Sequence, residues 1–260
     1  MDERRSTIAS IVHAGAPMSV RHAFYQAVGA GIGIPKNKAG YRQVQRVVLE
    51  LRRAGTLSYN EIVDGTRSRR TITQYDGLDD ALGDIWATYR RNLWSDSDYD
   101  VEVWCESDSI FGTIAPVVQE WGVPWCVTRG YASETLLYNA AHAAITDILY
   151  VGDLDPHGLD IERHARDTMA GFGSRPDWQR IAITEEQVTE YNLPTSYGEG
   201  HGVEAEAMPA EMMRGLVQAA IRRFVDADAV AVIRAVEEEE RRGLLRLQMR
   251  HASDEDEDDE

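Results

Sequence analysis

The chain has 260 residues, enough to bury a sizeable core and to form two modest domains, and a formal net charge of −17 that argues at first sight against nucleic acid as a partner. No apolar run approaches membrane-spanning length, and the start, Met1-Asp-Glu-Arg-Arg, lacks a signal peptide's apolar region, so a cytoplasmic location and no membrane partner are expected. The two cysteines, Cys105 and Cys126, fall in expected strands and read as reduced, buried thiols.

The charge is unevenly spread. Residues 1–75 hold twelve basic against five acidic side chains, a local charge of +7, so the remainder carries −24, seven of those charges in the tail 254–260. That tail reads as a disordered solubilising segment, or as a nucleic-acid mimic competing for the basic region. Only Lys36 and Lys38 are lysines, so cationic contacts fall to arginine, whose planar fork suits bidentate phosphate binding.

In chain order, residues 6–13 and 20–28 read as short amphipathic helices, with Ser19 a plausible N-cap for the second. The second carries Arg21-His-Ala-Phe-Tyr25, whose first and last members are i and i+4 neighbours, so a guanidinium lies beside a phenol. An adjacent cation favours the phenolate and can hold a phosphate for attack; the alternative is a packing tyrosine beside a surface charge. Residues 29–35 break the pattern. A longer helix over 40–54 follows, carrying Arg42, Arg46, Arg52 and Arg53 on polar positions and ended by Gly55. Residues 56–73 then read as a hairpin whose second strand bears Arg67, Arg69 and Arg70. Three helices and a cationic hairpin make a winged helix-turn-helix with 40–54 as recognition helix and 56–73 as wing. The other reading is a helical domain with a solvated basic face.

From residue 101 to 171 the pattern alternates strand and helix, with strands at 101–104, 123–127 and 148–151. The first closes on Glu106. The third closes on Tyr150-Val-Gly-Asp-Leu-Asp-Pro-His-Gly158, where Asp153 and Asp155, two apart on an extended chain, are expected to face one hard cation. A turn or solvated loop is the alternative for an isolated Asp-x-Asp. The carboxyl ends of neighbouring parallel strands are where α/β folds place their chemistry, so Glu106, Asp153 and Asp155 are expected to share one site. Asp108 reads either as a further ligand or as a helix N-terminal acid favoured by the dipole. Gly198-Glu-Gly-His-Gly202 reads as a glycine-rich connection in preference to a metal loop. Residues 209–225 form an amphipathic helix and 237–242 lie in another, with a solvated charged face.

These residues carry a resemblance. A winged-helix region with Arg-x-x-Phe-Tyr, a Glu-ended strand and Asp-x-Asp-Pro-x-Gly resembles the A subunit of type IIB topoisomerases (topoisomerase VI) and the meiotic double-strand-break transesterase. More closely, it resembles short stand-alone bacterial or phage-encoded relatives of that subunit. The resemblance spans about residues 18–225 and includes Arg-Ile-Ala-Ile-Thr184 and Glu190-Tyr-Asn-Leu-Pro194. It implies an α/β fold with an N-terminal winged-helix domain (1–75), a linker helix (76–100), a Rossmann-like parallel-sheet Toprim domain (101–225), and a C-terminal helix with its acidic tail (226–260). Tyr25 matches the nucleophile that becomes joined to a DNA 5′ end, and Arg21 the arginine four positions before it. Glu106, Asp153 and Asp155 match the acids that hold Mg²⁺, for which Mn²⁺ can substitute, and Glu106 either ligates metal or moves a proton to the leaving group. Double-stranded DNA is the implied partner of a homodimer in which the tyrosine of one protomer works with the metal site of the other. Ala132 and His157 depart from the proline and tyrosine common in the large subunits. With no Gly-x-x-x-x-Gly-Lys-Ser/Thr loop, strand passage would need an ATPase subunit in trans. The rival expectations are a Toprim nuclease that hydrolyses DNA through water, and a DNA-binding or partner-recruiting module that does not cleave.

Overall fold

The computed structural model describes residues 3–63, 72–195 and 202–258, with side chains described to residue 250. Three helices open the chain: α1 (Glu3–Gly15), α2 (Val20–Gly29) and α3 (Lys38–Arg53). They close around Ile8, Val12, Phe24, Val44, Val48 and Leu51, which recur at helical spacing and are buried together. Ser19 caps α2 by accepting from the His22 N–H, as its position suggests. Helix α3 starts two residues before the expected residue 40, because Asn37 Oδ1 accepts from the N–H groups of Ala39 and Gly40. Gly40 is required there, since a Cβ would stand 1.9 Å from the Pro35 carbonyl oxygen.

The segment expected to begin a wing differs from a hairpin strand. Residues 59–61 make a 3-10 turn, held by a reciprocal cap between Ser58 and Glu61, and Ile62 makes one isolated parallel bridge to Met18. The rest of the expected wing, including Arg67, Arg69 and Arg70, lies outside the described residues.

After α4 (Leu78–Thr88) comes an alternating series: β1 (Val101–Cys105), α5 (Asp108–Glu120), β2 (Trp125–Val127), α6 (Glu134–Ala141), β3 (Asp147–Val151), α7 (Pro156–Gly171), β4 (Asp177–Ala182) and α8 (Glu185–Glu190). The four strands form one parallel sheet in the order β2-β1-β3-β4, an α/β arrangement compatible with a Rossmann-like fold. On one face Trp104, Ile148 and Tyr150 pack with Leu137 of α6 and Ala165 and Met169 of α7. Helix α5 packs on β1 and β2, and α9 (Ala210–Arg222) on α5 and β4. Strands β1 and β3 are buried along almost their whole length, which explains their continuous apolar runs. Cys105 and Cys126 are free thiols.

The described chain divides into two compact units at places other than the expected boundaries. Helices α1–α3 share a unit with the whole α/β layer, Tyr99–Arg223. Ser19 Oγ lies 2.6 Å from Ser109 Oγ of α5, and the Arg214 guanidinium of α9 donates to the carbonyls of Gly15 and Thr113. The second unit joins the stretch around α4, expected as a linker, to α10 (Ala227–Asp258). Within it Arg91 pairs with Glu240 at 2.8 Å and the Tyr89 hydroxyl donates to Glu240 at 2.6 Å. Helix α10 runs to Asp258 and so takes in most of the acidic segment expected to be disordered; the helix propagates from the turns before it. Among the described residues, no helix is long and apolar enough to cross a membrane.

Candidate metal and nucleophile site

Strand β1 delivers Glu106 and strand β3 delivers Asp153, each just past the carboxyl end of its strand. The two are joined directly: the Asp153 N–H donates to Glu106 Oε2 at 3.1 Å. Burial pushes the Glu106 carboxyl above its usual range; that N–H opposes the rise, and the charges of Asp155 and Glu206 add to it. The loop after β3 is fixed from beneath. Arg180 of β4 pairs with Glu162 of α7 at 2.6 Å and donates to the carbonyls of Gly152, Asp153 and Ile183.

Asp155 is placed differently from the strand-based expectation. The strand ends at Val151, so the period-two argument no longer applies at 153 and 155, and Asp155 instead caps α7 by accepting from the Gly158 N–H at 2.7 Å. Asp153 finds its partners in the segment 203–207, which carries no helical or strand periodicity. Val203 bridges Leu154 in antiparallel fashion, and the chain then makes a 3-10 turn, Ala205–Ala207, whose first N–H donates to Asp153 Oδ1 at 2.8 Å. This brings ligand atoms of Asp153, Glu204 and Glu206 within 4.8 Å of one another. The donor set is all oxygen, suited to a hard cation such as Mg²⁺ or Mn²⁺. Glu206 is 1% exposed, and neither of its carboxylate oxygens accepts a hydrogen bond. Burial first, then the charges of Glu206 and Glu106, push the Asp153 carboxyl up to about 8. A divalent ion is the natural remedy for such crowding of negative charge.

Helix α2 supplies the other half. Gln26 Nε2 lies 3.0–3.2 Å from the carbonyl oxygens of Glu206, Ala207 and Met208, and His22 Nε2 lies 2.9 Å from the last of these. One turn away, Arg21 Nη2 donates to Glu204 Oε2 at 2.6 Å, and its Nε stands 3.2 Å from Glu206 Oε1. Burial works against the guanidinium's charge, but Glu206 and Glu204 outweigh it and raise its pKa. Arg21 and Tyr25 are neighbours as expected, with the guanidinium 5.8 Å from the ring centroid. The phenol's acidity departs from the expectation: burial and the Glu204 carboxylate raise the Tyr25 pKa, and Arg21 only partly opposes them because its charge is already engaged. Lys36 Nζ lies 5.1 Å from the same ring, its own pKa lowered by burial.

Two cavities meet at Arg21. One, of about 580 Å³, is lined by Phe24, Tyr25, Lys36, Tyr41 and Glu204; the other, of about 770 Å³, by Glu106, Asp108, Arg129 and Arg52. Asp108 takes a bidentate pair with Arg129 at 2.7 and 2.9 Å, which favours the helix-terminal reading over the ligand one. Of the expected DNA-binding arginines on α3, Arg42, Arg46 and Arg53 are exposed, while Arg52 donates to the Tyr59 carbonyl and lies over that ring at 4.3 Å. The site residues missed in the sequence are Glu204, Glu206 and Lys36. The signal for the first two was their Glu-x-Glu spacing, the same as that of Asp153 and Asp155. Comparison with protein-family models, curated proteins and solved structures finds no match to this chain.

Proposed function

We propose that the protein is a divalent-metal-dependent DNA-cleaving transesterase similar to the topoisomerase VI A subunit, acting as a homodimer on duplex DNA. In this reading the α/β layer is a Toprim domain and α1–α3 belong to a winged-helix region. The observation that carries it is the meeting of Arg21 and Tyr25 on α2 with Glu204, Glu206 and Asp153 at the carboxyl end of β3. Asp153, Glu204 and Glu206 would hold the metal, which when bound supplies charge neutralisation at the phosphate and leaving oxygen. Tyr25 Oη forms the bond to phosphorus as the bond to O3′ breaks, leaving a 5′-phosphotyrosyl link and a 3′-hydroxyl. Glu204, the carboxylate beside the phenol, takes its proton, and Glu106, raised by burial, gives one to O3′. Exposed Arg42, Arg46 and Arg53 on α3 support a duplex backbone as the ligand.

The raised phenol favours a second reading, a nuclease in which water is the nucleophile and Tyr25 is structural. Incubation of the protein with supercoiled plasmid and Mg²⁺ or Mn²⁺, stopped with detergent and run with and without protease, separates the two. The expected product is linear DNA with protein on its 5′ ends, abolished by Tyr25→Phe. Protein-free ends from both wild type and variant would establish the nuclease instead. Intact plasmid would leave a binding module, or a transesterase that waits for an ATPase partner.

A further inference from the structure

We propose that Arg21 and a divalent cation are alternative occupants of the Glu204–Glu206 carboxylates, so that metal loading expels the guanidinium from the acids and releases it into the Tyr25 pocket. The proposal rests on the metal-binding part of the function above and not on DNA cleavage.

The argument is one of charge and reach. Arg21 uses Glu204 Oε2 and approaches Glu206 Oε1, oxygens of two of the three candidate ligands. An ion bound at roughly 2.1 Å from those oxygens would lie within about 5 Å of the guanidinium, where like charges repel strongly in a partly buried site. Arg21 is also an incomplete occupant. It brings one positive charge to three clustered carboxylates, and its Nε–H does not point at Glu206, whose buried carboxylate is left without a hydrogen bond. A divalent ion supplies the second charge and satisfies those oxygens. The acids' segment is held by Gln26 and by the Ala205 N–H to Asp153, so the larger movement in the exchange is that of a long, surface-reaching side chain swinging away. The side chain already borders both cavities, and once free its guanidinium is the cation closest to hand for an anion entering beside Tyr25.

The test uses the full chain and no DNA, so its failure is distinct from failure of the transesterase reading. Mn²⁺ binding is measured by calorimetry for wild type, Arg21→Gln and Glu206→Gln. Removing the competing charge in Arg21→Gln is expected to tighten Mn²⁺ binding by on the order of tenfold or more, and Glu206→Gln to weaken it by a similar factor. Unchanged or weaker binding in a folded Arg21→Gln protein overturns the proposal. Should that variant not fold, the Arg21 Nε–H NMR signal of wild type decides: a Mg²⁺ titration is expected to move it from an ion-paired to a solvent-exchanging position. A signal that stays in place at saturating Mg²⁺ overturns the exchange.

Discussion

His22 shows how the site's acids depend on a residue that touches none of them. It is fully buried, with Nε2 2.9 Å from the Met208 carbonyl oxygen and Nδ1 3.0 Å from the Thr113 hydroxyl, so that in the neutral ring Nε2–H donates to the carbonyl and Nδ1 accepts from the hydroxyl. Burial lowers its pKa to about 4; the Met208 carbonyl works against this and the charge of Arg214 adds to it. A histidine whose folded pKa lies below its unfolded value of about 6.5 stabilises the protein fully above pH 6.5 and loses that contribution as pH falls towards 4. Urea unfolding between pH 7 and 4 is therefore expected to show a loss of about 3 kcal/mol from this group, flattened in His22→Gln. A profile identical in the two proteins would show that His22 is not held neutral. At this scale Arg21, Tyr25, Glu106 and Asp153 were legible because each stood at a recognisable spacing or strand end. Glu204 and Glu206 were not, since their segment has no helical or strand periodicity and gains its meaning from a bridge to Leu154 fifty residues away in sequence. Lys36, isolated after a glycine-rich turn, offered no pattern at all.

Among the elements, those with local signals were readable and those set by distant contacts were not. Buried strands β1 and β3 announced themselves as apolar runs, and α2 through its cap and periodicity. Strand β4, Asp177–Ala182, is partly exposed and its Asp-Trp-Gln-Arg-Ile-Ala sequence follows neither a continuous apolar run nor a strict alternation, so its tie to β3 is what makes it a strand. Helix α3 begins two residues before the expected residue 40 because Asn37 caps it, which leaves Gly40 within the first turn, where Pro35 approaches closely. Gly40→Ala is accordingly expected to destabilise the protein by on the order of 2–3 kcal/mol in denaturant unfolding, despite alanine's better helix propensity. A neutral or stabilising result would mean that the turn before α3 yields easily.

Over the whole molecule, charge sets a balance between the basic helices and the acidic remainder. Net repulsion from a duplex acts over about 8 Å at physiological ionic strength, so the seven tail charges matter most at low salt. Removing residues 253–260 is expected to strengthen duplex binding several-fold at 50 mM salt and little at 200 mM, as read by fluorescence anisotropy. Equal affinity at both concentrations would discard the tail as a restraint on binding. The division into two units was hidden from the sequence because α4 and α10 find each other across about 140 intervening residues, a pairing that no local pattern encodes. One bond pattern constrains how this architecture opens. The amide of Gln26 faces three successive carbonyls of the 206–208 stretch while the Ala205 N–H holds Asp153 and Val203 bridges Leu154, so the acidic turn is a rivet between α2 and the loop after β3, and parting those two elements must break one of the two sets of bonds.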